Sequence, residues 1–394
     1  AGSGVCIAGA GAALLALAEA TGIPIATAWA HDLIASAHPL FAGRPGTIGT
    51  RAGNFCLQAS DFVLVIGACL NIRQVSYNWS RFAPQAFIVQ VDIDSAELAK
   101  PFVHPDLAIV ADAAHFMTTL AAQAALHDLP DYGDWAHWCH ALQARYPVLQ
   151  PRQMLTLRLN PYAIVAQVFG CLRDDDIIVC GNASACILPF QVGHLRAGQR
   201  LFSNSGSASM GYDLPAAIGA AMGAGGRRVI CFAGDGSLQM NVQELQTLKT
   251  LSARVLVVVL ANDGYLSIRQ THENFFGRVV GATPDSGVEF PDFSTLARAY
   301  GLCAARIAGP DDLPELKRLL ALDGPALIQV DVDPTQAFEP RIKSRIREDG
   351  TFVTPELDDM FPFLAEEELT AVRAEAAALR AKPRSGPVEK QESL

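Results

Sequence analysis

Charged residues make up only 18% of the 394-residue chain, and the balance is acidic, with a formal net charge of −10. Nucleic-acid backbones are bound by basic surfaces, so nucleic acid is excluded as the main partner. No apolar run reaches the roughly 18 residues that mark a membrane span, and none is expected. The opening AGSGVCIAGAGAALLALAEA is apolar, but it has no basic leader and is broken by glycine, which argues against a signal peptide. The nine cysteines contain no CxxC pair and stand mostly in apolar stretches. They read as thiols in a reducing cytoplasm rather than as disulfides or zinc ligands. No internal repeat on the scale of roughly 20–50 residues is visible.

What remains is the composition of a packed enzyme: half the residues are hydrophobic, with 32 glycines and abundant alanine. The length suits two α/β domains and a tail. Short β-branched and aliphatic runs at 23–27, 62–66, 87–91, 177–180, 229–232, 255–260 and 327–332 alternate with Ala/Leu-rich helical stretches. Nearly continuous apolar strands between helices predict parallel sheets covered on both faces. The expected fold class is therefore α/β, with two doubly wound parallel-sheet domains over residues 1–145 and 155–335 and a C-terminal helical tail over 336–394. A helix is expected over 362–382, acidic early and basic late as its dipole prefers. The terminal run KPRSGPVEKQESL reads as disordered.

The chemistry concentrates in VICFAGDGSLQMNVQELQTLKTLSARVLVVVLANDGYLSIRQT. A buried strand ends in Ala233-Gly234-Asp235-Gly236-Ser237, and a helix is expected from about Leu238. A glycine-rich turn feeding a helix offers free N–H groups and a positive dipole end to a phosphate. Asp235, placed in the middle of that turn, would repel the same anion unless a cation lay between them. Mg²⁺, held by one or two protein oxygens and by phosphates, resolves the conflict. The next strand ends in Ala261-Asn262-Asp263-Gly264-Tyr265, and Asn262 follows Asp235 by 27 positions. Adjacent parallel strands put their C-terminal ends side by side, where open α/β sheets bind ligands. The Asn262 side-chain oxygen and the Gly264 carbonyl would complete the protein's share of the metal site.

A GDG followed by an Asn-bearing strand end at this spacing resembles the signature of thiamine-diphosphate enzymes. The surrounding sequence is similar to the acetohydroxyacid synthase, pyruvate oxidase and benzoylformate decarboxylase group. By matching positions, the resemblance implies Asp235, Asn262 and Gly264 as Mg²⁺ ligands. Gly234, Gly236, Ser237 and Tyr265 join Asn262 and Gly264 in the cofactor-binding set. In NSGSASMGYDLPAAIGAAMGA, Pro215 marks a helix start, and Met210 matches the bulky residue that holds the cofactor bent. The segment 181–184 (GNAS) falls where the family contacts the pyrimidine or the substrate. Tyr265, Ile268, Phe275 and Phe276 are candidates for an acceptor pocket, although such clusters are more often core.

Residues 1–140 resemble the same family's central domain. That domain holds FAD in synthases and oxidases, through loops matching 43–53 and 67–73 and a strand-end acid, Asp92 or Asp94. Against FAD, the family's Gly-x-Arg is here Gly67-Ala68-Cys69, although Arg73 remains. The pairs Gly2-x-Gly4 and Gly9-x-Gly11 read as tight turns, and neither extends to a dinucleotide fingerprint. The sequence is expected to open inside the first strand of this central domain. The family's pyrimidine-binding domain, with the glutamate that activates the cofactor, is then expected on another domain or subunit. The implied activity is decarboxylation of a 2-keto acid such as pyruvate, with capture by a carbonyl acceptor as in acetolactate synthase, in a cytoplasmic homo-oligomer (dimer or tetramer). A decarboxylase or oxidase of the same family is the first alternative, and a non-catalytic or regulatory paralogue the second.

Overall fold

The computed structural model describes residues 1–154, 158–346, 349 and 351–382. The terminal run expected to be disordered lies outside them, apart from Lys382. The chain forms two compact units, Leu149–Phe338 and Ala1–Val148 together with the segment from Glu339 onward.

The unit Leu149–Phe338 is built on a six-stranded, wholly parallel sheet. Its strands are Ile177–Cys180 (β6), Arg200–Ser203 (β7), Val229–Gly234 (β8), Val255–Ala261 (β9), Cys303–Ile307 (β10) and Ala326–Asp331 (β11), numbered after five strands of the other unit. They lie in the order β10-β11-β9-β8-β6-β7. Val255 through Leu260 are all fully buried, as a strand covered on both faces must be. From β6 the chain moves outward to β7, and from β8 it moves outward the other way to β9. The order thus reverses between β6 and β8, and such a switch point opens a crevice at the carboxyl ends of the strands. Leu238, Leu245 and Phe293 pack with the inward faces of β8 and β9. At the opposite strand ends, Arg228 is buried in an ion pair with Asp176 at 2.5 Å and also donates to the carbonyls of Leu320 and Leu322.

In the other unit, Phe62–Ile66 (β3), Phe87–Asp92 (β4) and Leu107–Val110 (β5) form a parallel three-stranded sheet. Ile25–Ala26 (β1) and Phe41–Gly43 (β2) form a parallel pair. The strand expected at the start is not formed: Ala1 and Gly2 lie in no strand, and the first regular element is the helix Ser3–Ile7. Ala1 bonds to Ala26 and Ala28, while the Gly2 amide donates to Ile66. Gly2 and Gly4 are close-approach positions rather than mere turns, while Gly9, at φ 64° with open space around it, is a turn residue. A Cβ on Gly2 would stand 2.3 Å from the Gly67 carbonyl oxygen, and one on Gly67 would stand 2.8 Å from Gly4 Cα. An apolar cavity of about 180 Å³, bordered by Leu17, Ile25, Cys56, Val63, Val65 and Trp135, lies in this unit.

The C-terminal segment packs within this same unit. Its helix, Glu366–Ala381, buries Val372 against Ala42, Phe55, Cys139 and Leu142. Asn54 donates to the Leu357 carbonyl at 2.7 Å, and Arg373 pairs with Asp358 at 2.7 Å. No helix among the described residues is long and apolar enough to cross a membrane.

Candidate active site

Four loops converge at the carboxyl ends of β6, β8 and β9 and ahead of the helix Asp213–Gly223. The GDG segment departs in one respect from its expected form. β8 runs through Gly234, which is extended and caps a short helix, Asp235–Met240. Asp235 is therefore the first helical residue and not the middle of a turn, and the helix begins three residues earlier than expected. The cause is local: the strand keeps its register with β9 up to Gly234 opposite Leu260, so no residues are left over for a loop.

Asp235 is buried. Its Oδ1 accepts from the Gly236 amide at 2.7 Å, and its Oδ2 accepts from the amides of Asn262 at 3.0 Å and Gly264 at 3.3 Å. The carboxylate thus clamps the turn after β9, a contact that sequence spacing alone did not indicate. Burial pushes its pKa up to about 6, against the opposing pull of those three amides.

Asn262 is buried as well. Its Nδ2 donates to Ser184 Oγ at 3.4 Å, while its Oδ1 has no hydrogen-bond partner in the protein. A buried amide oxygen left unpaired is costly, and a ligand at the site would relieve it. The turn then passes through Asp263, at φ 58°, and Gly264, at φ 139°. A Cβ on Gly264 would meet the Ala282 carbonyl oxygen at 2.0 Å, so only glycine fits. Among the described residues no group of three His, Cys, Asp or Glu side chains could hold a metal. A cation here would have to rest on one carboxylate with amide and carbonyl oxygens, the donor set of a hard ion such as Mg²⁺.

Tyr265 lies across Gly236, where an added Cβ would stand 2.2 Å from its ring, and meets Phe290 edge-on at 5.5 Å. Ile268, Phe275 and Phe276, which share the helix Leu266–Phe275 or adjoin it, are exposed rather than core. On the other side of the switch point, Asn182 donates to the Ala208 carbonyl at 3.1 Å, joining the β6 loop to the loop that carries Met210. Met210 is half-buried, and its neighbour Gly211 donates its amide to Ser237 Oγ at 2.8 Å. Ala183, between Asn182 and Ser184, sits at φ 45°, ψ −124°, a strained conformation for a residue with a Cβ. The structure therefore brings Gly234, Asp235, Gly236, Ser237, Asn262, Gly264 and Tyr265 together, with Met210 tied in through Gly211. One buried group beside them, Asp213, went unnoticed because YDLPAA reads only as a helix start.

The geometry defines a doubly wound α/β domain in which the Asp235 helix start and the Asn262–Gly264 turn meet at the topological switch point. The chain belongs to the thiamine pyrophosphate enzyme family. The family's C-terminal TPP binding domain matches residues 183–330, and its central domain matches residues 1–120. The chain is 31% identical to the acetolactate synthase isozyme 1 large subunit of Escherichia coli K12, over 83% of this chain and 57% of that protein. It is 30% identical to a probable acetolactate synthase large subunit of Methanococcus aeolicus, over 86% of this chain and 58% of that one. Corynebacterium glutamicum acetolactate synthase large subunit is 30% identical, over 87% and 55%. The chain thus spans less than two thirds of these relatives.

Proposed function

We propose that this chain is the diphosphate-binding part of an enzyme that decarboxylates a 2-keto acid such as pyruvate and joins the product to a carbonyl acceptor, as an acetolactate synthase does. In this reading Asp235, the Asn262 side-chain oxygen and the Gly264 carbonyl hold Mg²⁺. Gly234, Gly236 and Ser237 face the diphosphate, and Met210 and Tyr265 flank the ring end. The observation that carries the reading is the unpaired Asn262 Oδ1 on the turn that Asp235 clamps. Bound there, thiamine diphosphate supplies the carbon centre that accepts the electrons released with CO₂. The chain's own residues do simpler work. Asp235 offsets charge and fixes the turn, Gly264 bends it, and Gly236 leaves room for the Tyr265 ring.

The pyrimidine contacts and the activating glutamate are assigned to a pyrimidine-binding domain or subunit outside the described residues, and activity to the assembled site in a homo-oligomer. FAD is not part of the proposal. The Gly67 loop is explained by its packing on Gly2 and Gly4, while Asp92 and Asp94 serve a local turn and a helix cap.

Calorimetric titration with thiamine diphosphate, with and without Mg²⁺, tests the reading. Mg²⁺-dependent binding that is lost in Asp235→Ala and weakened at least tenfold in Asn262→Ala supports it. Failure of the wild type to bind, in the presence of the partner domain or subunit, would sink it. Product analysis on pyruvate then separates carboligation from simple decarboxylation or oxidation.

A further inference from the structure

Asp213 is fully buried at the start of the helix Asp213–Gly223, and the proposed function gives it no task. Its Oδ1 accepts from the Leu214 amide at 3.0 Å, while its Oδ2 has no hydrogen-bond partner. Burial raises its pKa, and the neighbouring Ser237 hydroxyl and Leu214 amide pull it back. Two other site segments approach this carboxylate. A Cβ on Gly181, just past β6, would stand 2.7 Å from Oδ2. Ser237, in the helix after β8, takes on its hydroxyl oxygen at 2.8 Å the amide of Gly211, two residues before Asp213. Gly211 in turn follows Met210, and its carbonyl accepts from Asn241 at 2.6 Å.

A hydroxyl has one proton to give. If that proton goes to Asp213, the oxygen presents its lone pairs to Gly211, and the side chain has nothing left to donate to a phosphate. We propose that Asp213 is a positioning residue: it holds the Ser237 hydroxyl as its hydrogen-bond donor, and through Ser237 it fixes Gly211 and the Met210 loop against the strand ends. Ser237 then meets the diphosphate through its backbone N–H and not through its side chain. This role rests on the reading of Ser237 and Met210 as cofactor residues.

The first readout needs no cofactor. Amide hydrogen exchange at Gly211 is expected to quicken about tenfold or more in Asp213→Asn and in Ser237→Ala, and no further in the double variant. Ser237→Thr, which keeps the hydroxyl, should restore the wild-type rate. Gly181→Ala, at a position without positive φ, displaces the carboxylate without removing it and should quicken the same amide; it decides the matter if Asp213→Asn does not fold. The second readout is Mg²⁺-thiamine diphosphate titration. Each single variant is expected to bind about tenfold more weakly than wild type, and the double no more weakly than either single. Unchanged Gly211 exchange in Asp213→Asn or Gly181→Ala, or losses that multiply in the double variant, would overturn the assignment. Absence of binding by the wild type would count against the functional reading alone, since the exchange result stands without it.

Discussion

At Asp235, burial and hydrogen bonding pull the proton affinity in opposite directions, and burial wins, with the folded pKa about 6 against an ordinary 3.8. A carboxyl whose pKa rises on folding binds its proton more tightly in the native state. The associated stability is therefore fully present below pH 3.8 and is lost as pH rises toward about 6. The loss amounts to about 3 kcal/mol at most. Metal-free wild type should accordingly lose stability relative to Asp235→Asn between pH 4 and pH 6.5, measured by urea unfolding at several pH values. A difference that does not vary with pH would mean that the three amides hold the carboxylate ionised throughout.

The two glycines beside it make a sharper comparison. Gly264 combines φ 139° with a carbonyl oxygen 2.0 Å from any added Cβ, and backbone cannot move aside cheaply. Gly264→Ala should cost about 3 kcal/mol or more in chemical denaturation. At Gly236 the obstacle is the Tyr265 ring, which can rotate away. Gly236→Ala should cost only about 1 kcal/mol in the same measurement, accompanied by a change in the Tyr265 environment.

At the scale of elements, the buried strands were readable and the edges were not. β6, β8, β9 and β11 announce themselves as continuous aliphatic runs, because a strand covered on both faces has no polar side to show. β7 and β10 close the two edges of the six-stranded sheet, and they read as RLFS and CAARI, with partly exposed residues and no clear alternation. β5, at the edge of its own sheet, escaped for the same reason, whereas β2 is wholly buried and escaped because it is only three residues long. The turn after β9 was legible because its glycine, Gly264, is forced by backbone geometry. The surroundings of Asp213 were not, since Gly181 and Ser237 are distant from it in sequence and no spacing encodes their approach. The buried Arg228–Asp176 pair is similarly silent in sequence, and it holds the start of β8 to the segment before β6 and to the end of the helix Leu313–Leu320. Removing one partner leaves the other charged and unpaired in the core, so Arg228→Met should cost about 3–5 kcal/mol. The double change with Asp176→Leu should recover part of that loss, a comparison that urea unfolding resolves.

At the scale of the whole chain, the return of the C-terminal segment to the unit that contains Ala1–Val148 makes the stability of that unit depend on residues far apart in sequence. Val372 is fully buried among Ala42, Phe55, Cys139 and Leu142, while Trp138 and Arg145 bond to Glu375 and Tyr146 bonds to Glu368. The exposed Arg145–Glu375 ion pair contributes little, and the apolar contact at Val372 should dominate. All four tryptophans, at positions 29, 79, 135 and 138, lie in this unit, which makes their fluorescence a selective reporter. Val372→Asp buries an unpaired charge and should lower the tryptophan-detected unfolding free energy by about 3 kcal/mol or more, whereas Glu375→Ala should change it by less than about 1 kcal/mol. Equal effects of the two substitutions would mean that the surface bonds, and not the packed face of the helix, hold the segment in place.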